Sequence, residues 1–286
     1  MAAGPRQFPK NPYDTVYHQD VEPTVVTAGS LILAEHFPNV TPGTLIRGIH
    51  TNFDTVINTY DSTPGSHVPV VQFATFLTVE LWGAGGHGGS GGSRRSGQGG
   101  GGGAYVKFTV AVSDLPKVVI DSVIHISAPT VGAPSVAGPD LVAGSTRMFG
   151  AVAGGGHNGG YYREALPRRS GGSFSNSELS VPIVTGSWTA ERGGNGGLGS
   201  TAGGRPGDSA IYAGGGGGGG GEQGGYGPGP AGLSTYGGRG GQGSWPNTNN
   251  GESGVAPGGG GGGPGTGTWG KPGAAGRARL TWFRPK

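Results

Sequence analysis

Arginine pairs, tyrosines, tryptophans and asparagines are the side chains of this 286-residue chain whose type and spacing could do chemistry. Arg94 and Arg95, Tyr161 and Tyr162, Arg168 and Arg169, Tyr226, Tyr236, and Trp245 with Asn247, Asn249 and Asn250 all fall in stretches that interrupt glycine tracts. The chemistry they suit is recognition. Tyr, Trp and Arg offer large contact area, few rotatable bonds and a polar end, which is why they dominate binding hot spots. Together with Asn they would also suit sugar rings and anionic groups on a surface.

Reaction chemistry finds less support. Gly265, Gly270 and Lys271 have the spacing of a phosphate-binding loop, but Pro272 stands where Ser or Thr is required and no strand-then-helix pattern flanks it. The seven histidines, His18, His36, His50, His67, His87, His125 and His157, make no close metal-ligand spacing. A glycan depolymerase would need two paired carboxylates, and nothing in the sequence brings together any two of Asp114, Asp121, Asp140, Glu164, Glu178, Glu191, Asp208, Glu222 and Glu252. Arg-Gly-Gly triplets occur at Arg192 and Arg239, too few for an RNA-binding low-complexity segment. No enzyme activity, cofactor or metal is expected.

Composition narrows the classes further. Charged residues are 12% of the chain, the formal net charge is +3, and the positives form no long block, so nucleic acid is not the expected partner. Cysteine is absent, which excludes disulfides and thiolate metal sites. The first residues lack an apolar core of the signal-peptide kind and nowhere do 18 apolar residues run together, so synthesis in the cytosol without membrane insertion is expected. The sequon Asn39-Val40-Thr41 therefore reads as chance.

The elements that must position these residues come from glycine. Of 69 glycines, only Gly4, Gly29, Gly43, Gly48 and Gly65 precede Trp82, and runs of eight (Gly214 to Gly221) and six (Gly258 to Gly263) follow it. Glycine loses more backbone freedom on ordering than any other residue, about 1 to 2 kcal/mol per residue fixed, so a run without compensation stays disordered. Large aromatics punctuate these tracts, however, and strand-like segments bracket them, neither of which suits a linker. Compensation is available in an extended left-handed threefold helix, whose free N–H and C=O groups can bond laterally to parallel rows of the same helix. At a rise of about 3.1 Å per residue the eight-glycine run would span about 25 Å.

Period-two alternation marks the bracketing strands. Phe73, Thr75, Leu77, Val79 and Leu81 alternate with Ala74, Phe76, Thr78 and Glu80, which predicts a strand with one buried face; Val106, Phe108, Val110 and Val112 predict a second. Residues 117 to 126 predict a third strand and residues 277 to 283 a last one. Upstream, residues 1 to 22 read as a proline-rich extended arm and residues 24 to 37 as a hairpin, while residues 45 to 60 fit a helix face or a strand.

The strings Val79-Glu80-Leu81-Trp82-Gly83-Ala84-Gly85-Gly86, Gly99 to Gly103 with Ala104-Tyr105-Val106, and the closing Gly273-Ala274-Ala275-Gly276 with Arg277 to Trp282 resemble the glycine-rich domain of bacteriophage tail-fibre and other virion proteins. The resemblance covers about residues 68 to 286. It implies a virion component, often the host-binding tip of a fibre, in which polyglycine helices pack as a bundle and loops contact the bacterial surface. Residues 131 to 149 and 161 to 189 depart from the pattern as long insertions poor in glycine.

The expected fold is therefore mainly β. A small β-sandwich or sheet frames a glycine-rich region of packed polyglycine II helices and loops over residues 68 to 286. Residues 1 to 67 form an extended amino-terminal segment that attaches to other virion proteins. The expected partner is a host cell-surface glycan or outer-membrane protein, with a head fibre or capsid decoration protein as the architectural alternative. Fibres are usually homotrimers, yet a bundle that satisfies its own backbone can stand as a monomer, so the sequence leaves that choice open.

Overall fold

Alternating β-branched and aromatic residues build the strands, and the computed structural model of the chain describes residues 53–61, 70–92, 95–115, 125–126, 143–160, 168–200, 203–222, 227–248 and 250–285. The strands are β1 (Phe53–Tyr60), β2 (Phe76–Trp82), β3 (Tyr105–Ala111), β4 (His125–Ile126), β5 (Thr146–Met148), β6 (Ala151–Ala153), β7 (Phe174–Ser175), β8 (Thr189–Glu191) and β9 (Arg277–Pro285). One sheet has the order β1-β9-β2-β3-β8 and the other β4-β5-β6-β7. Strand β2 is central, pairing antiparallel with β3 and β9 so that Val79 lies opposite both Phe108 and Leu280.

This register puts Leu77, Val79, Leu81, Val106, Phe108, Val110, Leu280 and Trp282 in one core, closed by Met148, Ala151 and Ala153 of the second sheet. The mainly β sandwich expected from the sequence is therefore present. Fully burying each such side chain contributes about 1.5–3 kcal/mol, which supplies the sandwich with an apolar core that the glycine region lacks.

Several local expectations are corrected. Strand β2 buries both faces: Thr78, Glu80 and Trp82 are buried along with their apolar neighbours. They are tolerated there because each is paired. The hydroxyls of Thr78 and Thr109 bond at 2.8 Å, Glu80 accepts from the Tyr105 hydroxyl at 2.9 Å and from Arg279 Nε at 2.6 Å, and Trp82 Nε1 donates to the Tyr212 carbonyl at 2.8 Å. Of the two readings left open for residues 45 to 60, residues 53–60 take the strand, as their Thr and Val/Ile content favours. Strand β3 ends at Ala111 in a short 3-10 turn, Val112–Asp114. Of the strand expected over residues 117 to 126, only His125–Ile126 lies within the described residues. The arm and the hairpin at residues 24 to 37 lie outside them. The compact unit holding both sheets spans Thr55–Arg284.

Of the insertions poor in glycine, the described residues 143–149 carry β5 and residues 174–189 carry β7 and the approach to β8.

Between the strands the chain runs to and fro in twelve extended segments: g1 (residues 83–91), g2 (97–104), g3 (154–160), g4 (168–173), g5 (193–199), g6 (203–210), g7 (213–221), g8 (227–233), g9 (237–244), g10 (250–256), g11 (257–265) and g12 (270–276). Their amides bond to different neighbours with a period of three. In g7, Gly214, Gly217 and Gly220 donate to Gly103, Gly100 and Gly97 of g2; Gly215, Gly218 and Gly221 donate to Gly238, Gly241 and Ser244 of g9; Gly216 and Gly219 donate to Asp208 and Arg205 of g6. The g7 carbonyls accept in turn from g5, g8 and g11, so six neighbours surround this segment. Segments g2 and g11 are surrounded in the same way, and g2, g7 and g11 bond to one another as a central triangle.

A threefold backbone helix gives this pattern, because each residue of a turn then faces a different neighbour. Among the described glycines only Gly150, Gly186, Gly203, Gly258 and Gly267 have positive φ, and the rest share the sense that L-residues also adopt. The bundle is thus the expected array of polyglycine II helices. Glycine is required at its centre by contact. A Cβ on Gly217 would collide with the carbonyl of Gly261, and one on Gly100 with that of Gly86.

Candidate recognition surface

Odd-numbered segments run away from the sandwich and even-numbered ones return, as the antiparallel registers g1–g2, g2–g11 and g6–g7 require. The outer ends of the described segments therefore gather at the end of the bundle remote from the sheets. Backbone hydrogen bonds hold this distal end in register, which is the rigid-scaffold arrangement that recognition loops use.

Three connections can be followed side by side. Gly92 and Arg95 exchange backbone bonds across the g1–g2 turn, with Gly92 N to Arg95 O at 2.8 Å. The carbonyls of Gly265, Thr268 and Arg95 converge on Gly91, where a Cβ would meet all three. Asn247 donates its amide to the Thr266 carbonyl at 3.1 Å, joining the g9–g10 turn to the g11–g12 turn. A bridge pairs Ser90 with Trp269.

Two tryptophans project from this surface: Trp245 is 45% and Trp269 50% exposed. The Trp245 ring packs over Gly227, where a Cβ would come within 3.2 Å of Cη2. The asparagines beside it build the turn. Asn250 Oδ1 accepts from the Trp245 amide at 3.1 Å and from Thr248 Oγ1 at 2.7 Å, and Asn247 holds a left-handed φ of 53° that asparagine tolerates better than most residues.

The arginines sit on the same end. Gly172 of g4 donates to Gly102 of g2, which sets Arg168 and Arg169 beside Gln98 and Gly99. Arg168 is committed to structure, with Nη1 2.7 Å from Asp208 Oδ1 and Nη2 donating to the Pro206 carbonyl at 2.6 Å. Asp208 Oδ2 also accepts from Asn195 Nδ2 at 2.8 Å. Arg169 differs: its Nε and Nη2 are shielded from solvent without a hydrogen-bond partner.

Of the residues expected from the sequence to bind, Arg95, Arg168, Arg169, Trp245, Asn247 and Asn250 are thus brought to one end. Tyr236 is not. Residues 227–233 are the bundle segment g8, so the stretch from Tyr226 to Tyr236 is no single loop, and Tyr236 lies at the sandwich end. Its ring stacks on Tyr212 with centroids 5.0 Å apart and planes 10° from parallel. Tyr212 stacks on Tyr105 at 5.3 Å, and Tyr105 packs against Trp82 at 5.0 Å. Burial, then the charge of Glu80 and the hydrogen bond to it, push the Tyr105 phenol far above its ordinary value. Arg94, Tyr161, Tyr162, Tyr226 and Asn249 lie outside the described residues.

Trp269 was missed as a site residue. Its signal was the Thr266-Gly267-Thr268-Trp269 break between Gly265 and Gly270, which reads as a reversal only once the bundle direction is known.

Among the described residues no group of three or more His, Asp or Glu side chains could hold a metal ion, and no helix is long and apolar enough to cross a membrane. No curated protein matches the chain. A family model described as a glycine-rich domain matches residues 62–283, from the edge of β1 through nearly all of β9 and including every segment of the bundle, and the chain belongs to that glycine-rich domain family.

Proposed function

We propose that this protein is a bacteriophage virion structural protein, a tail-fibre or tip adhesin that recognises and adsorbs to the host surface. The observation that carries this reading is the polarity of the folded unit. The strands that open and close it, β1 and β9, are neighbours in one sheet, while the outer ends of the bundle segments, with exposed Trp245 and Trp269, gather at the far end. Residues 1 to 67 attach the protein to other virion components, and the distal end meets a host cell-surface glycan or outer-membrane protein. Rigid presentation suits this role, because a scaffold held by lateral backbone bonds lets its turns be ordered before contact.

The test is adsorption. Purified labelled protein is mixed with candidate host cells and competed with intact particles. Saturable binding that blocks infection, and that is lost when residues 245 to 250 are replaced by Gly-Ser repeats, is the expected result. Normal adsorption by particles lacking the protein, together with loss of particle integrity, would instead establish a head-fibre or decoration role.

A further inference from the structure

We propose that the side of the bundle formed by g8, g9 and g10 binds the same side of a second copy of this chain. Lateral hydrogen bonds define that side. Gly240 and Gly243 of g9 donate to Gly232 and Gly229 of g8, while Glu252 and Val255 of g10 donate to Gln242 and Arg239 of g9. Segment g7 lies behind g8 and g9, bonded to both, and g11 lies behind g9 and g10, bonded to both. The three outer segments therefore form one flat facet, with g9 along its middle.

The same bonds set the levels across the facet. Leu233, Arg239 and Val255 stand level on g8, g9 and g10, and Pro230, Gln242 and Glu252 stand level one turn farther from the sandwich. Leu233 is 63% and Val255 43% exposed, and exposed Tyr236 ends the facet on the sandwich side. Between these apolar edges Arg239 holds Glu252 at 2.6 Å. Those two are the only charged residues from 227 to 256.

This pattern selects its partner. Large apolar side chains left exposed together mark an interaction surface. The bonded charge pair leaves the facet neutral, so neither a nucleic acid nor an anionic surface is drawn to it. What complements an apolar edge, a charge pair and a second apolar edge is the same facet turned to face it, the self-complementary contact of a twofold dimer. An axis parallel to the segments and in front of g9 carries g8 onto g10. Leu233 then lies opposite Val255 of the second copy, and Val255 opposite its Leu233. Each arginine stands between its own glutamate and that of the other copy, so the four charges alternate. Burial of Leu233, Val255 and Tyr236 supplies the attraction, and the charges set the register. Such pairing is independent of what the distal end meets.

The experiment is sedimentation of the full chain over a range of concentrations, which should show a monomer–dimer equilibrium. Leu233→Glu alters an exposed side chain and should raise the dissociation constant about tenfold or more, as loss of a central contact does. Arg239→Glu and Glu252→Arg should each weaken pairing as much, because each sets like charges face to face. An equimolar mixture of those two variants should pair again, since one copy then presents two acids and the other two bases. The double exchange of Arg239→Glu with Glu252→Arg should pair as the natural chain does. Val255→Glu reads the same contact from the opposite edge if either charge reversal disturbs the g9–g10 turn.

A chain that stays monomeric at its highest soluble concentration would overturn the proposal. So would a dimer indifferent to both Leu233→Glu and Val255→Glu, or variants with reversed charge that fail to pair when mixed while both remain folded. A trimer would overturn the twofold arrangement.

Discussion

The amide of Gly217 donates to the carbonyl of Gly100 at 2.8 Å, tying the middle of the eight-glycine run to the antiparallel segment g2. Gly100 itself donates to Gly261, and the neighbouring Gly260 donates to Gly215, so g7, g2 and g11 are bonded in a closed cycle. No side chain fits between backbones this close.

Replacing Gly217 by Ala should destabilise the fold by about 1–3 kcal/mol, the range for overpacking a filled interior. Its Cβ has only the Gly261 carbonyl to move into, and backbone cannot yield as a flexible side chain would. Gln242→Ala is the control, since residues 239, 242 and 245 of the neighbouring row are exposed in steps of three. Urea denaturation should separate the two clearly; equal midpoints would contradict the packing argument.

Glu191 anchors the turn between g6 and g7 by accepting the amides of Ile211 (2.9 Å), Tyr212 (2.6 Å) and Ala213 (2.9 Å). Glu191→Gln replaces the anionic acceptor by a neutral one and should cost about 1.5–3 kcal/mol. Hydrogen exchange of those three amides should accelerate more than that of amides in g2. Uniform acceleration would mean the carboxylate has no local role.

Tyr105 bonds Glu80 beneath the aromatic stack, and its folded-state phenol is raised by burial first and by Glu80 second. A raised folded value means the contribution is complete below the unfolded value, near 10.0, and is lost as pH rises above it. Alkaline unfolding should therefore coincide with the ionisation of a late tyrosine, followed by absorbance. In Tyr105→Phe that late component should vanish and stability at neutral pH should fall by about 1 kcal/mol.

The pair Arg239–Glu252, 2.6 Å apart and well exposed, crosses from g9 to g10. The Arg239 hydrogen bond lowers the Glu252 carboxyl below its ordinary 4.5. A lowered value makes the contribution present above pH 4.5 and lost as pH falls through the folded value. Because the pair is exposed, Glu252→Gln should cost no more than about 1 kcal/mol at pH 7 and nothing at pH 2. A larger loss at pH 7, or one that persists in acid, would assign Glu252 a role beyond the ion pair.

Tyr212 joins the buried and exposed halves of the aromatic stack, while Tyr236, 62% exposed, only ends it. Tyr212→Ala should therefore cost more stability than Tyr236→Ala, by at least the roughly 0.5–1.5 kcal/mol of one aromatic pair. Thermal melts followed by near-ultraviolet circular dichroism would show it.

The sequence by itself determined the materials. Alternation at residues 76 to 82 and 105 to 111 predicted the strands, and glycine runs framed by them could be ordered only by lateral backbone bonding. Triplets such as Gly237-Gly238-Arg239-Gly240-Gly241-Gln242 even spell out which residue of each turn faces outward, because a threefold helix repeats its faces every three residues.

Tertiary structure alone decided which segments became neighbours. A glycine amide bonds equally well to any glycine carbonyl, so nothing local distinguishes g2 from g9 as the partner of g7; the order follows from where the sandwich releases and recaptures the chain. That choice divided Tyr236 from Trp245 and paired Trp269 with Ser90. It also buried both faces of β2, since the residues that close over Trp82 and Glu80 come from Tyr105, Tyr212 and Arg279, two of them far away in the sequence.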